Sequence, residues 1–531
     1  MPAPVRKLRK LARTFAAMAL LGLVAACASP VANDNLPEVV ATDATYQGLS
    51  WPEFENGGIF RGIPFAAPPT GSLRWQPPQP LHKDGKPVVA TRYAPACIQG
   101  DYIVDWYASL IESFGGGPET AARPHGESED CLYLNIWSPD ATPDADLPVM
   151  VWIHGGSYKG GWSYEPNYDG RKLAEQGVIV VSIAYRLGAL GFLGPNAAQD
   201  DVPINFGTMD QIAALQWVQR NISAFGGDPS NVTIFGESAG ASSVGTLIIM
   251  PAAKGLFERA ISQSGGFELL PRPEREDAAT GFDKLAAALE AFGASPMTAS
   301  AEQILSASNA ALADYDFGPV VDGGLLPQQP TDRLAAGKLN AADLMIGTNR
   351  DEWLMYLDPA TIETDLADWT QTHPAAAPLV EEMTAKFGPA ATLDQIETAE
   401  QMRCPGQALA DALSTGSKSV YIYEFNRVRT GALEAGLGSY HGAELPYVFD
   451  THDDWLPTDA VDRRISEFMV RAWAQFARTG DPNFGDGVIW PAYNETGDVL
   501  KIDEVREPAR PVSENLCAAL EATGMTTRKP E

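Results

Sequence analysis

Residues 232–250 read VTIFGESAGASSVGTLIIM, and the fold turns on how this stretch is divided. Val232–Phe235 is β-branched and aromatic, which suits a buried strand. From Ala241 onward the run ASSVGTLIIM suits a helix packed against it. Between them lies Gly236-Glu237-Ser238-Ala239-Gly240. A strand that turns at once into a helix leaves no room for side chains two residues before and two after the turn, hence the glycines. Ser238 then sits at the apex, and the helix start aims free N–H groups at charge forming on a substrate. Ser242 and Ser243 fall inside the helix and read as polar helix residues.

Outward from this turn, short apolar runs recur at 148–156, 178–185, 343–348 and 419–425. Each is nearly uniformly apolar, as strands covered on both faces are. GTMDQIAALQWVQRNISAF, between the second run and 232–236, carries Ile212, Leu215, Trp217, Val218 and Ile222 on one helical face. Strand–helix alternation of this kind predicts an α/β fold, a mostly parallel sheet flanked by helices. The chain shows no internal repeat.

A serine hydroxyl needs a base to take its proton. The chain has six histidines. In a strand–turn–helix hydrolase the order along the chain is serine, acid, histidine, so His82, His125 and His154 drop out. His373 precedes a proline and reads as a helix end. His452, in FDTHDDW, reads as an exposed acidic turn. His441, in GLGSYHGAELPYVF, lies in a glycine-flanked loop after the 419–425 strand and is the best placed of the three. The tetrahedral oxyanion also needs donors; WIHGGSYKGG (152–161) ends a strand in glycines that let backbone N–H groups approach a substrate.

Composition bounds the rest. The chain has 531 residues and a formal charge of −30, which disfavours nucleic acid as a partner. MPAPVRKLRKLART and FAAMALLGLVAA form a basic then apolar leader over 1–26, too short to span a bilayer. It ends at Cys27, and small residues before that cysteine resemble the lipobox of a bacterial lipoprotein, with a plain secretory signal as the alternative. The expectation is an exported protein held to the cell envelope through acyl chains on Cys27, a tether over 27–43 and one domain over 44–531. Removing the leader's five positive charges from −30 leaves −35. Cys97, Cys131, Cys404 and Cys517 remain, an even number that suits two disulfides in an exported chain.

Taken together, these stretches resemble the type-B carboxylesterases, which include the cholinesterases. FGGDPSNVTIFGESAG (225–240) fits that family's nucleophile signature and EDCLYLNIWSP (129–139) its second signature. Six further blocks follow in family order between Phe60 and Tyr493, among them IGTNRDEW (346–353) and HGAELPYVFD (441–450). The resemblance implies the α/β-hydrolase fold with loop and helix insertions, and hydrolysis of small-molecule carboxylic esters through an acyl-enzyme without a metal or organic cofactor. It implies Ser238 as nucleophile, His441 as base, and Glu352 as the acid that orients it, with Asp351 the neighbouring alternative. It further implies an oxyanion hole of Gly156, Ser157 and Ala239, a near-site Glu237, and disulfides Cys97–Cys131 and Cys404–Cys517.

Three departures stand out. The oxyanion loop reads HGGS, so Ser157 adds a side chain expected to narrow the acyl pocket. Ala121 stands where cholinesterases carry a tryptophan that binds quaternary ammonium, and Trp106 is the only tryptophan in that loop, which argues against choline esters. The cysteines for a further disulfide of many animal members are missing, which fits a bacterial origin and makes the sequons at Asn221, Asn231 and Asn494 accidental. Two rivals remain. One is a non-catalytic cholinesterase-like binding protein on the same fold, a class that typically lacks a triad member, whereas here all three positions are filled. The other is an amide or thioester hydrolase using the same triad.

Overall fold

The computed structural model describes residues 37–522 except 82–84, 201, 341, 416–417 and 512–513. Cys27 and His82 lie outside the described residues. Eleven strands form the main sheet: β1 (Leu49–Ser50), β2 (Gly58–Pro64), β3 (Tyr133–Ser138), β4 (Leu147–Ile153), β5 (Ile179–Ile183), β6 (Gly227–Glu237), β7 (Arg259–Gln263), β8 (Asp343–Asn349), β9 (Val420–Phe425), β10 (Val499–Ile502) and β11 (Glu507–Ala509). Their order across the sheet is 1-2-3-5-4-6-7-8-9-10-11. β5, β4 and β6 to β10 run parallel. The edges are antiparallel at β1–β2–β3–β5 and at β10–β11. This is the α/β-hydrolase architecture.

Alternation along each strand splits the core in two. Val149, Val151 and Ile153 of β4 face one hydrophobic cluster, joined by Ile212, Leu215, Trp217 and Val218 of helix α2 (Phe206–Asn221). Met150 and Trp152 face the other, against Ile465, Phe468, Met469 and Trp473 of helix α4 (Ala460–Thr479). Both faces of the central strands are therefore dry, and their sequences read as unbroken apolar runs. α4 starts on a capping box, Asp459 accepting from the Val461 and Asp462 N–H groups, and ends at Gly480 in the left-handed region.

Two elements matter for the site. Helix α3 (Ala239–Ile249) follows β6 with no intervening loop. Helix α1 (Tyr102–Ser113) rides on the loop between Cys97 and Cys131, which are disulfide-bonded, as are Cys404 and Cys517. The stretch read as a tether to residue 43 contains a strand, Glu38–Val40, paired with Thr45–Gln47. The boundary expected at 43/44 therefore falls inside a small sheet, because Val39 is buried and anchors the strand. No described helix is long and apolar enough to cross a membrane.

Candidate active site

Ser238 stands between β6 and α3 with φ +56°, ψ −124°, a conformation costly for a residue with a Cβ and sustained only by its surroundings. The flanking glycines show what sustains it. A Cβ on Gly240 would lie 2.0 Å from the Ile153 carbonyl oxygen, and one on Gly236 would lie 2.6 Å from Gly240 backbone. The elbow thus packs backbone to backbone on the end of β4, and the chain between the glycines is forced outward, carrying the Ser238 hydroxyl into a cavity of about 500 Å³.

Against the elbow lies the 154–158 loop. A Cβ on Gly155 would meet the Ser238 Cβ at 3.2 Å, so the loop backbone touches the elbow directly. His154 anchors it: the ring stacks on Tyr185, whose hydroxyl donates to the His154 carbonyl at 2.8 Å. Burial pulls that imidazole down to about 4, so it is neutral and structural. Among the described residues, no turn or cap hydrogen bond claims the N–H groups of Gly156, Ser157 or Ala239. The Ser157 hydroxyl, on an exposed residue that borders the cavity, bonds the Tyr102 hydroxyl of α1 at 3.1 Å.

His441 reaches the cavity from the loop after β9. Its Nδ1–H donates to Glu352 Oε2 at 2.6 Å. Glu352 is fully buried, and its Oε1 accepts from the Ser264 hydroxyl and the Asn349 N–H, both at 2.6 Å. Asp351, the alternative acid, bonds Arg350 and the Ser439 N–H instead. On its other side, His441 Nε2 lies 3.3 Å from Glu237 Oε1. Burial lowers the imidazole's proton affinity, but the Glu237 charge and the Glu352 bond outweigh it and hold His441 above its ordinary range. Burial likewise pushes the Glu237 carboxyl above the ordinary carboxylate range. Ser238 and His441 border the same cavity, and among the described residues no hydrogen bond joins them.

Sequence reasoning missed several neighbours. Glu444, three residues after His441, is fully buried and accepts from Gln263 at 3.1 Å and Asn349 at 2.7 Å. Glu165 accepts from the Tyr107 hydroxyl at 2.8 Å and is pushed up to about 7 by burial. Both lie far from the elbow in sequence, and only the three-residue spacing to His441 could have flagged the first. Two readings need correction. Trp106 of α1 lines the cavity, with its ring near Gly442, while Ala121 packs in a small core beside α1. The disulfide loop therefore delivers a tryptophan to the cavity from a different position. His452, expected in solvent, has a fully buried ring that accepts from Arg429 at 2.8 Å and bonds the Ser466 hydroxyl at 2.6 Å. Burial and the Arg429 charge pull it to about 3, so it serves the packing of α4. His373 caps its helix, as expected.

The chain matches the model of the carboxylesterase family over residues 45–387 and 386–519. It is 36% identical over 471 residues to a para-nitrobenzyl esterase of Bacillus subtilis, covering 85% of this chain and 92% of that one. It is 34% identical over 478 residues to a fumonisin B1 esterase of Sphingopyxis macrogoltabida, covering 83% and 82%. Among solved structures, a carboxylesterase of Geobacillus stearothermophilus superposes with a TM-score of 0.78 at 31% identity, over 91% of this chain and 99% of that one.

Proposed function

From the premise that the chain belongs to the carboxylesterase family and hydrolyses carboxylic esters, we propose that it does so through a Ser238–His441–Glu352 triad and a covalent acyl-enzyme. The observation that carries this reading is the 2.6 Å bond from His441 to a buried Glu352, at the cavity into which the strained elbow delivers Ser238.

The geometry supports each proposed role. Glu352 holds the imidazole with Nδ1 protonated, leaving Nε2 to accept. As the ester carbonyl enters, Nε2 takes the Ser238 proton and the Oγ–carbonyl bond forms. The oxyanion that results is met by the Gly156, Ser157 and Ala239 N–H groups, which need no reorganisation because the loop and helix α3 are already packed. The imidazolium then protonates the departing alkoxide, and water repeats the cycle to release the acid. Glu237, beside Nε2, favours the imidazolium that forms in the transition state. We also propose that acyl chains on Cys27 tether this domain to a membrane, which intact-mass analysis of the exported chain tests.

The test of the triad is hydrolysis of p-nitrophenyl esters from acetate to laurate by wild type and Ser238→Ala, with organophosphonate labelling read by mass spectrometry. Abolished hydrolysis in the variant and label on Ser238 are expected. Label elsewhere, or undiminished hydrolysis in Ser238→Ala, sinks the assignment.

A further inference from the structure

Among the described residues, six arginines are at least nine-tenths buried, and five of them meet acceptors suited to a cation. Arg74 and Arg186 pair with Glu129 and Asp210. Arg275 and Arg333 spend their N–H groups on backbone carbonyls. Arg429 bonds the Pro457 carbonyl and His452, with Asp462 at 3.9 Å. Arg272 differs. Its guanidinium makes one hydrogen bond, from Nη2 to the Ser242 hydroxyl at 2.7 Å; its buried Nε has no partner, a state it shares with the Arg429 Nε. It is 8% exposed and borders the same cavity as Ser238.

Its place in the cavity follows from the reaction. The carbonyl oxygen must face the 156–157 and Ala239 N–H groups, and the leaving oxygen must face His441 Nε2. The alcohol therefore occupies the half walled by His441, Glu237 and Trp106. Arg272 stands elsewhere: on Ser242, one helical turn along α3 from Ser238, with its Nη1 beside Gly318. This is the acyl half. Buried Glu268 feels the Arg272 charge but accepts from the Gly266 N–H at 2.8 Å rather than pairing with the guanidinium. Asp316, exposed, borders the same cavity two residues before Gly318.

A guanidinium keeps its charge in any surroundings, and a buried charge with one neutral acceptor is expensive to fold. A carboxylate is the ligand that matches its planar donors two at a time. We propose that Arg272 makes the acyl half a subsite for acyl groups ending in a carboxylate, so that half-esters of dicarboxylic acids are the favoured substrates of the Ser238 site. One helical turn, about 5.4 Å, separates Ser238 from the Arg272 partner, a span suited to an acyl chain of roughly five or six carbons. The chemistry is that of any ester: Oγ bonds the ester carbonyl, the alcohol leaves with the His441 proton, and water releases the diacid.

The inference rests on the esterase reading, and its test separates the two. Ethanol release is measured from monoethyl adipate and from ethyl hexanoate, which match in chain length, with wild type, Arg272→Met and Arg272→Lys. The kcat/KM ratio of half-ester to neutral ester is expected to fall about thirtyfold in Arg272→Met and to recover partly in Arg272→Lys. Organophosphonate labelling of Ser238 in each variant reports that the elbow is folded. An equal ratio in wild type and Arg272→Met overturns the subsite, as does a wild type that cleaves the hexanoate or takes the label but spares the half-ester. A wild type that cleaves neither ester and resists the label defeats the esterase reading, and the subsite with it.

Discussion

Substituting Glu237 by Gln probes the electrostatics of the site directly, because Glu237 Oε1 lies 3.3 Å from His441 Nε2, the nitrogen that accepts the Ser238 proton in the proposed triad. A full charge at that distance is worth about 5 kcal/mol at an effective dielectric near 20. Burial holds the Glu237 carboxyl above the ordinary carboxylate range, so it is charged only part of the time while the imidazole titrates, and solvent in the cavity screens it further. About a quarter of that figure, ~1.4 kcal/mol, is one pH unit. The sign follows from the chemistry. Nε2 must be unprotonated to act as base, and Glu237 favours the protonated ring, so wild type is expected to gain activity only above the ordinary imidazole range of about 6.5. In Glu237→Gln the rising limb of kcat/KM moves about one pH unit toward acid, and the alkaline plateau drops because the imidazolium formed during the reaction has lost its neighbour. The assay is p-nitrophenyl butyrate hydrolysis followed at the isosbestic wavelength of the released phenol from pH 5 to 10. Superimposed limbs would refute the reasoning.

Three further outcomes are expected. Glu352→Gln leaves the fold intact but donates an amide where the ring needs an acceptor, and kcat/KM falls by about 10³ to 10⁴ in the butyrate assay; a loss under tenfold would point to Asp351. Gly240→Ala drives a Cβ to 2.0 Å from the Ile153 carbonyl and should cost more than about 3 kcal/mol in urea unfolding, or prevent accumulation of soluble protein; wild-type stability would mean the elbow is looser than described. Replacing Cys404 and Cys517 together by Ser opens a ring closed across 113 residues and should cost about 5 kcal/mol by chain entropy, against about 4 for Cys97 and Cys131, separated by 34; the order of the two midpoints in denaturant checks the comparison.

The elbow was legible in the sequence because its constraints are local: two glycines, a serine and the switch of periodicity all fall within twenty residues. The apolar runs at β4, β5, β6, β8 and β9 were legible because both faces of those strands are buried. β7 was not. Its Arg259-Ala-Ile-Ser-Gln263 buries Ser262 and Gln263 at the carboxyl end, where Gln263 bonds Glu444 and Trp473 beneath the site. Polar residues placed there for the site erase the apolar signal that would identify the strand. His452 misled for the opposite reason. Its acidic surroundings in sequence suggest solvent, yet Arg429, twenty-three residues earlier, folds over it. The contact between Glu237 and His441 joins positions 204 residues apart, so no spacing could reveal it.

Net charge misleads about the cavity in the same way. A formal charge of −30 argues for cationic ligands if the protein is treated as one body. Inside the cavity the charges are sorted. Glu237, Glu352 and Glu444 act on His441, where positive charge forms on the imidazole in the proposed reaction. Arg272 bonds Ser242, one helical turn along α3 from Ser238. Surface carboxylates act on a bound ester through salt water, which screens them beyond about 8 Å, whereas a buried guanidinium acts at hydrogen-bond distance with little water between. The surface field can therefore slow the arrival of an anionic ester without deciding what the site holds once it has arrived. Selectivity then rests on which charges are buried and which are wet, and the buried Arg272 guanidinium, unlike the exposed Asp316 at the same cavity, carries the opposite sign to the chain.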